Sequence, residues 1–152
     1  MITISLPSDQ RALFRKLLRH AGRREIGGIL MGEQIGENHF RVVEFSVDVT
    51  SGSPAHFVRS PEHHAIALEA FFRKTSADYS RFNYLGEWHS HPSFPVQPST
   101  ADIASMQGLV DGERDIDFSA LLIVKLRYYT LLEAESYMFA RRSLPQLVSL
   151  TI

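Results

Sequence analysis

Apolar residues recur along this chain in two rhythms, and these divide it into strands and helices. Residues 2–5, "ITIS", are β-branched and short enough for one strand. Over residues 6–22, Leu13 and Leu17 fall four apart, as do Phe14 and Leu18. This predicts a helix opened by Pro7 or Ser8 and ended by Gly22. Residues 25–36, "EIGGILMGEQIG", are apolar, Gly-rich and too short for a good helix. They read as a buried strand whose glycines admit a close neighbour. Residues 39–50 alternate as a strand after a turn at Asn38, and residues 55–60 read as a further short strand. Ser60-Pro61-Glu62 supplies a cap, a first-position proline and an acid for a helix through residue 77. Residues 84–91 form a strand, and three prolines within residues 92–98 forbid regular structure. A helix follows over 99–110, a loop over 111–117, a buried strand over 118–124 and a long strand over 128–140. Residues 144–152 carry no clear pattern. Leu13, Leu17, Leu68 and Phe72, at helical spacing, are assigned to the core.

The order β-α-β-β-(β)-α-β-α-β-β defines an α/β (α+β) protein, with helices flanking a central sheet. Its 152 residues suit a single domain over 1–152, long enough to bury a real core. The net charge of −1 argues against bulk electrostatic binding to nucleic acid or a membrane surface. The absence of cysteine removes disulfides, thiolate metal sites and cysteine nucleophiles together. The N-terminal residues lack a basic segment followed by an apolar one, so the expected location is the cytoplasm.

The chemistry concentrates in "GEWHSHPSFPVQPSTAD", residues 86–102. On a strand, His89 and His91 project to the same face, about 7 Å apart at Cα. Both imidazoles can then reach one metal. The bend after Pro92 returns the chain, and a helix starting near Ser99 can present Asp102 to the same point. Two histidines and a carboxylate leave one position of a tetrahedral zinc open, as a catalytic site requires. The bland reading is a strand containing histidines followed by a Ser-x-x-Asp capping box. A cap alone does not call for the histidine pair. A hydrolytic site also needs a base. Glu87, two residues before His89, and Glu25, at the start of the Gly-rich strand, are both candidates, and spacing does not choose between them.

The pattern Glu … His-x-His-x7-Ser-x2-Asp resembles the signature of the JAMM, or MPN-domain, metalloproteases. Here it is carried by Glu25, His89, His91, Ser99 and Asp102, together with the upstream "EIGGILMG". The resemblance implies a cytidine-deaminase-like MPN fold with a central mixed sheet. It implies that His89, His91 and Asp102 bind one zinc ion, that Glu25 is the general acid/base, and that Ser99 stabilises the oxyanion. Glu87 then becomes a supporting residue, Trp88 packs beneath the site, and Phe94 stands exposed near the metal.

Many relatives of this kind cleave the isopeptide bond after the C-terminus of ubiquitin or a ubiquitin-like protein. The compact chain and "GEWHSHP" look like the prokaryotic JAB-domain type. Some of these act beside E1-like and E2-like enzymes in conjugation or antiviral defence operons. The implied substrate is a ubiquitin-like protein or its conjugate, with its tail bound as an added strand at a sheet edge. A non-catalytic scaffold, or a hydrolase of sulfur-carrier proteins or small cysteine conjugates, is the alternative.

Overall fold

The computed structural model describes residues 2–48, 61–112 and 116–152. Along the chain it forms β1 (Thr3–Ser5), α1 (Ser8–Ala21), β2 (Gly27–Gly36), β3 (His39–Phe45) and α2 (Pro61–Lys74). These are followed by β4 (Phe82–Ser90), α3 (Thr100–Gly112), β5 (Phe118–Arg127), β6 (Leu131–Ala140) and β7 (Gln146–Thr151). The strand expected over 55–60 and the cap at Ser60 lie outside the described residues.

The strands run in the order β1-β3-β2-β4-β5-β6-β7, and β7 pairs back onto β1, so the mixed sheet closes into a barrel. The mixed α/β class expected from the pattern is present. The closure was not expected, because it depends on β7, in the stretch whose pattern was silent. Among the described residues the seam is short, since β1 covers only His39–Arg41 of β3.

Side-chain alternation sorts the barrel into two faces. Leu122 and Val124 of β5 point inward to a core shared with Phe14 and Leu18 of α1 and with Trp88 of β4. Leu121 and Ile123 point outward, where Met106 and Val110 of α3 cover them. Phe71 of α2 covers Ile29 and Met31 of β2 on the same outer side. Phe14 stacks on Phe45 at 3.9 Å and meets Trp88 edge-on at 4.9 Å. Two glycines are set by close approach. A Cβ at Gly28 would lie 2.1 Å from the Ser46 carbonyl oxygen, and one at Gly86 2.0 Å from that of Ala120.

Helix α1 ends as expected at Gly22, whose φ is 61° and whose N–H donates to Leu18 O. Its buried stripe is Gln10, Phe14 and Leu18. Leu13 is 48% exposed, contrary to its core assignment. It sits one position, about 100° of helix, from Phe14. Tyr128 and Tyr129, expected to open the long strand, instead form the turn between β5 and β6.

Glu33 of β2 is an interior charge that the pattern did not single out. Its side chain is 4% exposed and pairs with Arg41 of β3 and with Arg81, just before β4, the latter at 2.6 Å. Burial pushes its carboxyl up, but the two guanidinium groups outweigh this and hold it below its ordinary value. A depressed folded pKa contributes stability that is present above the unfolded value and lost as pH falls through the folded one. Both arginines are partly exposed and can rehydrate, so Glu33→Gln is expected to cost about 2 kcal/mol at pH 7. In thermal unfolding this is a fall of about 4–8 °C in Tm. The gap from the parent protein should shrink as pH drops below about 4.5, and a gap independent of pH would disprove the charge argument.

Candidate metal centre

The centre forms where β2 and β4 run antiparallel. Gly27 pairs with His89, so continuing the register sets residue 25 opposite residue 91. Ser90 fixes this junction. Its N–H donates to Ile26 O at 2.9 Å, and its Oγ accepts from Ile26 N at 3.0 Å. On the facing strand, His91 N–H donates to Val124 O at 3.0 Å.

His89 and His91 project together, as strand parity requires, with their Nε2 atoms 3.0 Å apart. Asp102 Oδ2 lies 3.3 Å from each Nε2. One ligand atom from each of Glu25, His89 and His91 falls within 4.8 Å of the others. Glu25, His89 and His91 are all buried. The two histidines are thus common to two groups, one with the Glu25 carboxylate and one with Asp102 Oδ2.

The spacing fits a metal. Tetrahedral ligands at about 2.0–2.2 Å from zinc stand roughly 3.3–3.6 Å apart, close to the three distances here. The ring orientation fits too. His91 Nδ1 is 2.8 Å from Pro95 O, an oxygen that can only accept, so Nδ1 carries a proton, and it is Nε2 that faces the centre and offers its lone pair to a metal once its own proton has left. A carbonyl in the proline-rich bend thus sets the tautomer, and no residue-type signal in the sequence could announce it. Lys125 Nζ holds the same bend by donating to Phe94 O at 3.2 Å.

Asp102 and Ser99 form a reciprocal capping box at the start of α3. Ser99 N–H donates to Asp102 Oδ2 at 2.9 Å, and Asp102 N–H donates to Ser99 Oγ at 3.0 Å. The cap and the ligand readings are therefore compatible, because one carboxylate oxygen serves both. In its cap role Ser99 Oγ is an acceptor, so its hydroxyl hydrogen can still donate elsewhere. Burial raises the Asp102 carboxyl, but hydrogen bonds from His89 and His91, the charge of His89 and the Ser99 N–H hold it well below the usual carboxylate range.

Trp88 is fully buried beneath the centre, with Nε1 donating to Ser46 O at 2.8 Å. Phe94 is 48% exposed, its ring centroid 6.2 Å from that of His91. Glu87 is buried on the same strand face as His89. It lines a groove of about 820 Å³ beside α2, together with His64, Leu68, Phe72 and Tyr84. Leu68 and Phe72 thus border open space as well as packing on the core, a correction to their purely interior assignment.

The family model described as prokaryotic homologs of the JAB domain matches residues 7–141. The chain belongs to this family, a branch of the MPN/JAMM proteins. In fold it is similar to the solution structure of protein DSY2949 from Desulfitobacterium hafniense. That similarity has a TM-score of 0.71 at 22% identity, covering 97% of this chain and 90% of that one. Among curated proteins, no sequence match is found. JAB domains include peptidases, and the histidine–carboxylate group described above could hold a metal ion. No described helix is long and apolar enough to cross a membrane.

Proposed function

We propose that this protein is a zinc-dependent isopeptidase or peptidase that cleaves after the C-terminus of a ubiquitin-like protein. The observation that carries this reading is the convergence of His89 Nε2, His91 Nε2 and Asp102 Oδ2 at 3.0–3.3 Å, with the Glu25 carboxylate beside them. His89, His91 and Asp102 hold the ion. When bound, zinc supplies an acidified water and polarises the scissile carbonyl. Glu25 accepts the proton of the attacking water and returns it to the leaving amine. Ser99 donates its hydroxyl hydrogen to the negative charge that develops on the carbonyl oxygen, a contact worth about 3–4 kcal/mol in comparable sites. Glu87 supports the ligand strand from the wall of the groove beside α2.

The substrate is a ubiquitin-like protein, either as a conjugate or as a precursor. The setting is a bacterial conjugation or antiviral defence pathway with E1-like and E2-like enzymes, and the compartment is the cytoplasm. The test uses zinc-loaded protein and ubiquitin bearing a fluorogenic C-terminal amide. One zinc per chain, cleavage at the terminal amide, loss in chelator and recovery with added zinc are the expected results. Purified protein that takes up no zinc, or cleavage indifferent to chelator, would sink the reading.

A further inference from the structure

We propose that the β5–β6 tip, formed by Tyr128, Tyr129 and Leu131, is a docking rim for the folded body of the ubiquitin-like substrate. The inference rests on the isopeptidase reading above and extends it to substrate recognition.

The first observation is conformational. Thr130 N–H donates to Arg127 O at 3.0 Å, closing a tight turn. Tyr128 and Tyr129 inside it have φ of 51° and 60°. Hairpin turns with positive φ take glycine, asparagine or aspartate, because a bulky side chain is rarely accommodated there. Packing of the rings does not offset this disfavour, since Tyr128 is 81% and Tyr129 78% exposed. The turn is held instead by other groups. Arg19 Nε of α1 donates to Tyr129 O at 2.8 Å, and Arg127 pairs with Glu133 across the strands. The backbone is compensated by these contacts and not by the rings, so tyrosine at two positions that favour glycine or asparagine points to an external role for the rings.

The second observation is position. Strand β5 runs parallel to β4, with His89 beside Ile123 and Ser90 beside Val124. Tyr128 lies five residues beyond Ile123, so the tip stands roughly 16 Å past the ligand level at about 3.3 Å per residue. An extended tail of five residues spans about the same length. A ubiquitin-like body whose tail ends at the metal centre is thus delivered to the height of the tip. Exposed aromatic surface begins at Phe94 beside His91, and Lys125 of β5 grips that bend.

The third observation is chemical. Tyrosine is enriched at protein interfaces, where its ring buries area and its hydroxyl stays hydrated. Arg19 and Arg127 at the tip are engaged with Tyr129 O and Glu133, so the groups the tip presents outward are the tyrosine rings and Leu131. A small-molecule conjugate at the metal would not reach the tip.

The test replaces the rings by residues the turn prefers, Tyr128→Asn with Tyr129→Gly. The probes are ubiquitin with a fluorogenic C-terminal amide and the same amide on a free five-residue, glycine-ending peptide. The expected result is an unchanged or higher Tm, unchanged zinc content, and at least a tenfold loss of kcat/KM on the protein probe through KM. Peptide cleavage stays within twofold, and Tyr128→Phe with Tyr129→Phe retains most of the protein activity. Unchanged protein cleavage, equal loss on both probes, or a Tm lowered by several degrees overturns the rim. So does a parent dimer that becomes monomeric in the Asn-Gly variant, which would assign the tip to self-association. These outcomes leave the zinc peptidase intact. Failure of the zinc-loaded parent on both probes strikes the isopeptidase reading itself, and the rim falls with it.

Discussion

Glu25→Gln is expected to lower kcat for amide cleavage by about 10³-fold while leaving the fold and the bound zinc in place. The substitution keeps the size and shape of a buried side chain and removes only its ability to take a proton. Glu25 lies where the β2–β4 register sets it across from His91, and the Ser90–Ile26 hydrogen bonds leave little freedom at that junction. Geometry therefore survives the change, and chemistry does not. Tm, zinc content and kcat, measured together, separate the possible roles. Normal zinc with lost turnover fits a general base. Lost zinc would move Glu25 into the ligand set, which its approach within 4.8 Å of the histidines permits. Retained turnover would remove it from the mechanism.

The contrast between Glu25 and the other site residues explains what could be read from the sequence. His89, His91, Ser99 and Asp102 sit within one short stretch and obey local rules: strand parity, a proline-forced bend and a capping box. Their meeting point followed from those rules. Glu25 reaches the same histidines through antiparallel pairing across more than sixty residues. Spacing alone left it level with Glu87, and only the family resemblance separated the two. The tautomer of His91 rests on a backbone carbonyl at Pro95, which no side-chain pattern encodes. Barrel closure rests on β7, a short strand whose partner β1 lies at the far end of the chain. The tyrosine turn was missed for the opposite reason: two β-favouring residues occupy positions that call for turn residues.

His91→Ala is the second large effect, and its pH dependence carries a sign. Removing the ligand is expected to weaken zinc binding by more than the roughly 10–100-fold typical of losing an outer partner. Turnover should fall with it to background at ordinary zinc concentrations. In the metal-free protein, burial disfavours charge on His91. The hydrogen bonds to Asp102 and to Pro95 O, with the negative charges of Asp102 and Glu25, outweigh burial and raise its pKa above 6.5. A raised folded pKa gives the metal-free protein stability that is present below the unfolded value and lost as pH rises through the folded one. Zinc binding has the opposite trend, because the ion must displace that proton. Apparent zinc affinity should therefore fall as pH drops through the His91 pKa, by up to about tenfold per unit for each proton displaced. The rise in Tm produced by zinc should grow from pH 6 to pH 8 for the same reason. Competition against a chromophoric chelator at pH 6, 7 and 8 measures both effects, and His91→Ala should be weak throughout. An affinity flat across this range, or an alanine variant that binds as tightly as the parent, would place the ion elsewhere than on His91.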